Sequence, residues 1–260
     1  SFVKDQDIAM AVRFGRDVWS DTRGFCHHEF VHDDAREGIL ANLLADAYRQ
    51  SAQSDIAFES VQFAGIGIPK GNISTGNVLN AAPHIFGPIS SKPFPQYARF
   101  WSLKVLKLTG LEIRGLLNFI FLADTFELPI GWISASGLLL DYDTARGGSP
   151  VGNISIFNNE TGEYESVDNL KSYTVVLHDG LIRALKILAD LAGLAIDLDK
   201  FHDTQVFAWQ SLADYLITKP AGLFADDFSP GKRLRPTKFD LATTEHLIES
   251  VGTPPKIRVG

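Results

Sequence analysis

The 260 residues carry 24 Lys and Arg against 31 Asp and Glu, a formal net charge of −7 that argues against a nucleic-acid backbone as partner. An apolar share of 45% and a charged share of 21% are those of a globular chain long enough to bury a core. No apolar run approaches the roughly 20 residues that span a bilayer, residues 1–7 lack the make-up of a signal peptide, and Cys26 stands alone, which excludes an intrachain disulfide.

In chain order, residues 1–19 read as a helix with Ile8, Ala11, Val12, Gly15 and Trp19 on one face, followed by a polar stretch to Asp34. Asp34 and Glu37 have capping-box spacing, and Ile39, Leu40, Leu43, Leu44, Ala47 and Tyr48 form a helical stripe. Residues 55–58 read as a buried strand, and the glycine-rich 65–76 as a loop. Residues 100–108 alternate as a strand, after which Thr109 and Glu112 cap a helix bearing Ile113, Leu116, Leu117, Ile120 and Phe121. Strands are expected at 137–142, 151–157 and 173–178, a hairpin-like turn at 158–162, and helices at 181–194 and 203–216. The proline-bearing tail from Thr218 reads as mostly irregular. These elements predict an α+β layered domain, a mixed sheet packed with helices. The expected organisation is a helix and polar connector over 1–34, one domain over 35–217, and a tail over 218–260 packed on it.

A series of landmarks runs through the domain. Arg36-Glu37 leads into Asn42-Leu43-Leu44-Ala45-Asp46-Ala47. Asp55-Ile56-Ala57-Phe58 follows, then Gly71-Asn72-Ile73-Ser74 and Gly76-Asn77-Val78-Leu79-Asn80. Leu108-Thr109-Gly110-Leu111-Glu112, Ser136-Gly137-Leu138 and Tyr173-Thr174-Val175-Val176 complete the order. Together they resemble the C-terminal domain of the 5′-nucleotidase and 2′,3′-cyclic phosphodiesterase family of metallophosphoesterases, as a divergent member.

The resemblance implies a nucleotide-gripping domain whose partner is an N-terminal metallophosphoesterase domain holding two divalent metals. Such a pair, about 3.5–4 Å apart, activates water for phosphoryl transfer. The Gly-Asn pairs at 71, 76 and 152 are each followed by Ile or Val, never His, and neither Asp-x-His nor Gly-His-x-His occurs. No cofactor is therefore expected in this chain, and alone it is expected to be inactive. The resemblance also implies a periplasmic or extracellular parent.

The family's ligand positions carry over one by one. Arg36 matches its first arginine. Ser60-Val61-Gln62-Phe63-Ala64-Gly65 falls on its glycine-rich loop, with Ser60 in place of the amide-bearing asparagine and Gly65 in place of the terminal arginine. His84 falls on the first stacking aromatic, and Gly180 replaces the second. A purine stacked on both faces gains about 1–3 kcal/mol per ring, so adenosine binding in the family's usual geometry is not expected. An insertion brings Phe86, Phe94 and Tyr97, which could furnish another aromatic wall. The expected substrate-binding set is Arg36, Asn42, Ser60, Gly65, His84, Phe86 and Phe94, and the ligand a small phosphate ester or nucleotide.

Blander readings stand beside the sharper ones. Arg36 could bind an anion or pair with Asp33, Asp34 or Glu37, and Asn42 and Asp46 suit backbone hydrogen bonds. In the cluster from Cys26 to Asp34, His28 and His32 would share a helical face and could hold zinc with Asp33 or Cys26, or the histidines could be surface residues. Gly65, Gly67 and Gly71 could cradle phosphate or simply turn the chain. His178-Asp179 could be an acid–base pair, although neighbours at a strand end point apart. The favoured reading is a substrate-recognition domain of a 5′-nucleotidase-like phosphoester hydrolase. The alternative is a non-enzymatic binding or scaffold module that kept the fold and lost the pocket, and a zinc-dependent activity at the histidine cluster is a third possibility.

Overall fold

The computed structural model describes residues 22–28, 37–82, 84–86, 98–125, 133–191 and 200–236. The helix expected over 1–19, with Arg36 and Phe94, lies outside the described residues. The strands are β1 (Thr22–Cys26), β2 (Ile56–Ser60), β3 (Gly71–Ser74), β4 (His84–Phe86), β5 (Ala98–Phe100), β6 (Ser102–Thr109), β7 (Ile133–Ser136), β8 (Leu138–Tyr142), β9 (Val151–Asn158), β10 (Glu163–Ser166), β11 (Ser172–His178), β12 (His202–Phe207) and β13 (Leu234–Pro236). The helices are α1 (Ile39–Ala52), α2 (Thr75–Ala81), α3 (Gly110–Thr125), α4 (Asp179–Leu191) and α5 (Ala208–Ile217).

A five-stranded sheet, ordered β12-β6-β11-β2-β7, forms the middle layer. Its β11 and β2 run parallel, and its other pairs are antiparallel. Both faces are buried, and the two-residue period of a strand sorts the side chains between them. Ala57 and Val176 face a core built with α1, α2 and α5. Ile56, Phe58, Val175 and Leu177 face the other core, shared with α3, α4 and a four-stranded sheet ordered β10-β9-β8-β13. Truncating Phe58 there would cost about 3–5 kcal/mol, because transfer and cavity terms add.

The α+β layering is as the sequence predicts. The stripe of α1 is buried at Leu40, Leu43, Leu44, Ala47 and Tyr48. Thr109 and Glu112 close their capping box at α3, with Glu112 Oε2 accepting from the Thr109 amide at 2.7 Å and the Glu112 amide donating back at 3.2 Å.

Three local expectations are corrected. Glu37 does not belong to a capping box: α1 starts at Ile39 behind Gly38, and the Glu37 carboxylate is buried against Asn42 and the Gly231 amide. The glycine-rich 65–76 is not all loop, because Gly71–Ser74 pairs with β1 and Ser74 caps α2. The helix expected from Asp203 starts at Ala208. Residues 203–207 instead extend along β6 with a bulge at Gln205, whose φ of +59° suits no helix.

Candidate functional site

Because β2 and β11 are parallel, paired at Ile56 with Val175 and Ala57 with Val176, their C-terminal ends open at the same sheet edge. The antiparallel β6 starts there, with Leu103 opposite His178. This edge therefore gathers Ser60 to Phe63, Trp101 to Lys104, and His178 to Gly180. The C-terminal ends of parallel strands are where open sheets present ligand-facing groups, and here a helix, α4, follows β11 directly.

Under the edge lies a buried polar network. His178 and Glu59 are both fully buried, and the His178 Nε2 lies 2.8 Å from Glu59 Oε1. The Leu181 amide donates to His178 Nδ1 at 3.1 Å, which leaves Nε2 as the nitrogen that donates to Glu59. The same carboxylate accepts from the Tyr48 hydroxyl at 2.6 Å and the Ser60 amide at 2.7 Å. Burial, with the Glu59 charge, holds the Tyr48 phenol well above its ordinary value, so it stays a donor. Three donors on one carboxylate fix the imidazole, and with it the first turn of α4.

Aromatic rings sit on that imidazole. The Trp101 indole stacks on His178 with centroids 4.6 Å apart and planes 6° from parallel. Phe63 meets both edge-on, at 5.3 Å from Trp101 and 5.7 Å from His178. A Cβ at Gly180 would lie 2.5 Å from indole carbons, so Gly180 is the space into which Trp101 fits. Trp101 itself is only 6% exposed.

Charged groups form the rim. Lys104 Nζ lies 3.2 Å from Asp179 and 3.4 Å from Asp203, and the Ser102 hydroxyl is 3.2 Å from each carboxylate. Partial burial lowers the Lys104 pKa, but the Asp179 hydrogen bond and the two negative charges outweigh it and hold the ammonium above its ordinary value. The Gln205 amide, then Lys104, holds Asp203 below the usual carboxylate range.

The expected binding residues divide around this edge. Ser60 is buried at the end of β2, where its amide serves Glu59 and its carbonyl turns the chain back to Phe63 and Ala64. Gly65 donates to the Ala81 carbonyl, and a Cβ there would meet the Asn80 carbonyl oxygen at 2.0 Å, so its backbone is pressed against the end of α2. Asn42 is buried in α1, donating to Glu37 and to the Phe228 carbonyl. His84 and Phe86 form β4, where His84 pairs with Phe100, the residue before Trp101. His178 and Asp179 do point apart, one into Glu59 and the other toward Lys104.

Sequence reasoning missed Trp101, Lys104, Asp203 and Glu59. The readable signal was Glu59, an acid inside an otherwise apolar buried strand, which needs a partner. At the histidine cluster, His27 stacks on Phe224 at 4.1 Å and places Nε2 2.8 Å from the Ala221 carbonyl. Cys26 is buried, its thiol pushed up by that burial and bonded to the His28 carbonyl. His32 lies outside the described residues, and among those described no three His, Cys, Asp or Glu side chains converge as metal ligands. No described helix is long and apolar enough to cross a membrane.

Residues 24–184 match the family model described as 5′-nucleotidase, C-terminal domain. No curated protein sequence matches the chain. Among solved structures, the chain is similar to a 5′-nucleotidase precursor from Thermus thermophilus at TM-score 0.62 and 21% identity, over 92% of this chain and 44% of that one. The NAD nucleotidase of Haemophilus influenzae gives 0.62 at 12% identity, over 92% and 42%. The sulfate thiohydrolase of Thermus thermophilus in complex with glycerol gives 0.56 at 14%, over 91% and 39%. The chain thus spans less than half the length of each of these structures, and the likeness is one of fold.

Proposed function

Because the chain belongs to the 5′-nucleotidase C-terminal domain family, we propose that it is the substrate-recognition part of a phosphoester hydrolase, working at the common edge of β2, β6 and β11. The observation that supports this is the meeting of two stretches far apart in sequence. Ser60 to Phe63 and His178 to Gly180 converge around Trp101, with a charged rim of Lys104, Asp179 and Asp203. Lys104, the cation of a rim it shares with Asp179 and Asp203, would reach a phosphate ester or nucleotide by exchanging one of those carboxylates for it, while Trp101 and Phe63 supply planar apolar faces. The metallophosphoesterase motifs are not among these 260 residues, so hydrolysis belongs to an N-terminal partner domain and its two metals. An exported, periplasmic or extracellular, setting goes with this reading.

One observation favours a second reading. Trp101 fills the space left by Gly180 and is itself buried, so the chain's own ring occupies the edge where a ligand ring would lie. On that reading the domain is a binding or scaffold module without a nucleotide pocket. A thermal-shift screen against nucleosides, nucleotides and sugar phosphates separates the two. A ligand at a hundredfold excess over its dissociation constant stabilises by about 2.7 kcal/mol, a readily visible shift. A nucleotide or sugar-phosphate shift lost in Lys104→Met supports recognition. No shift with any of them supports the module.

A further inference from the structure

At the opposite end of the central sheet, where β2 begins and β7 ends, lies a second hollow. It is an open hollow of about 470 Å³ between the last turn of α1, Ser136, the β9–β10 turn and the end of α5. Small-ligand sites run to about 300–1,000 Å³, so a compact ligand fits. The lining is polar: Arg49, Lys219, Ser136, Tyr215, Asp46 and Asn159 supply most of its chemistry.

Two features mark it as built for an anion. First, its cations are not paired: among the described residues no carboxylate lies within ion-pair distance of Arg49 or Lys219. The acid in the lining, Asp46, is already matched by Arg233 at 2.8 Å. Second, the guanidinium is held in place. Arg49 Nε donates to the Asp55 carbonyl at 2.9 Å, one terminal nitrogen donates to Asn159 Oδ1 at 3.0 Å, and the group lies 5.1 Å from the Phe157 ring centroid. Those bonds leave Nη1 without a partner among the described residues, and a fixed guanidinium loses little entropy on binding an oxyanion.

The rest of the lining agrees. Lys219 Nζ lies 4.8 Å from the Tyr215 ring centroid, a contact that leaves its charge uncompensated. Burial, then the Asp46 charge, holds the Tyr215 phenol above its ordinary value, so its hydroxyl remains a donor at neutral pH. Of the carbonyls in the last turn of α1, which disfavour an anion, those of Arg49 and Gln50 accept from the Ser54 and Gln53 amides, so the attraction at this site must come from Arg49 and Lys219.

We propose that this hollow is an oxyanion site, taking the carboxylate or phosphate group of a small hydrophilic ligand on Arg49 and Lys219, with Ser136 and Tyr215 hydroxyls donating. It is independent of the Trp101 edge and does not rest on the function proposed there.

The test is calorimetric titration of the chain with inorganic phosphate and, separately, with citrate at low ionic strength, with chloride as control. Saturable binding of either, at least about tenfold weaker in Lys219→Met, is the expected result. Which of the two binds names the group. Arg49→Gln should weaken it as well, but Arg49 also anchors Asp55 and Asn159, so Lys219→Met carries the decision. Absence of saturable binding by both anions overturns the proposal, as does binding that Lys219→Met leaves unchanged in a folded protein.

Discussion

His178 and Glu59 lie 119 residues apart in sequence and meet at 2.8 Å with both side chains fully buried. The pair ties the end of β2 to the end of β11, the two strands whose parallel run creates the candidate edge. It also fixes the imidazole face that carries Trp101. Stability and site geometry therefore share one carboxylate.

Removing that carboxylate should be severe. In Glu59→Leu the Tyr48 hydroxyl, the Ser60 amide and His178 Nε2 all lose their acceptor in a dry environment. Breaking a buried hydrogen-bonded pair costs about 3–5 kcal/mol, and that loss is expected in urea denaturation. A loss under about 1 kcal/mol would mean that the network contributes nothing the packing does not.

Glu37 should make stability depend on pH in an unusual direction. Burial pushes its carboxyl above the ordinary value, against the Gly231 and Asn42 hydrogen bonds and the Arg233 charge. A raised folded pKa means that the folded chain holds this proton more tightly than the unfolded one. The contribution is thus complete below the unfolded value, near pH 4.5, and is lost as pH rises through the folded value. The stability of the wild type relative to Glu37→Gln should fall between pH 4 and neutrality. A difference that grows over that window would contradict the assignment.

Much of the layering was legible because it depends on periodic burial. The α1 stripe, the β9–β10 hairpin and the Thr109–Glu112 cap follow from local pattern alone. What escaped depends on contacts between distant residues. Val206, Trp209 and Leu212 keep helical spacing, yet the Asp203 carboxylate takes the Gln205 amide and turns the chain into a bulge beside β6. β13 exists because Arg233 and its neighbours reach β8, a pairing that no local pattern encodes. The same holds for the candidate edge. Likeness to a family pointed to the Ser60 and His178 stretches, but that Trp101 fills the Gly180 space is visible only in three dimensions.

Arg233 should prove to be the clasp of the C-terminal segment. Its guanidinium donates to the Ala135 carbonyl at 2.8 Å and the Asn42 carbonyl at 3.2 Å, and pairs with Asp46. Arg233→Met keeps most of the stem but abandons two carbonyls and a carboxylate. A loss of about 2–3 kcal/mol is expected from these partly buried charged hydrogen bonds. Limited proteolysis should then cut near residues 229–236 faster than in the wild type. Unchanged cleavage would show that β13 pairing alone holds the segment.

The fit of Trp101 into Gly180 makes the sharpest prediction. Gly180→Ala places a Cβ where indole carbons now lie 2.5–2.6 Å away, so either the ring or the α4 backbone must shift. Overpacking of this kind costs about 1–3 kcal/mol. The indole would also leave its parallel stack on His178, which near-ultraviolet circular dichroism reads directly. In a Trp101→Ala background the three nearest contacts of that Cβ, all on the indole, are gone, so its cost should fall to about 0.5 kcal/mol or less, a strong coupling in the double-mutant cycle. Additive costs would show that the strain at Gly180 arises from backbone contacts and not from the ring. If Trp101→Ala also confers a nucleotide-induced thermal shift that the wild type lacks, the indole is what closes the edge. If the wild type already responds and the variant does not, the same ring is part of the recognition surface.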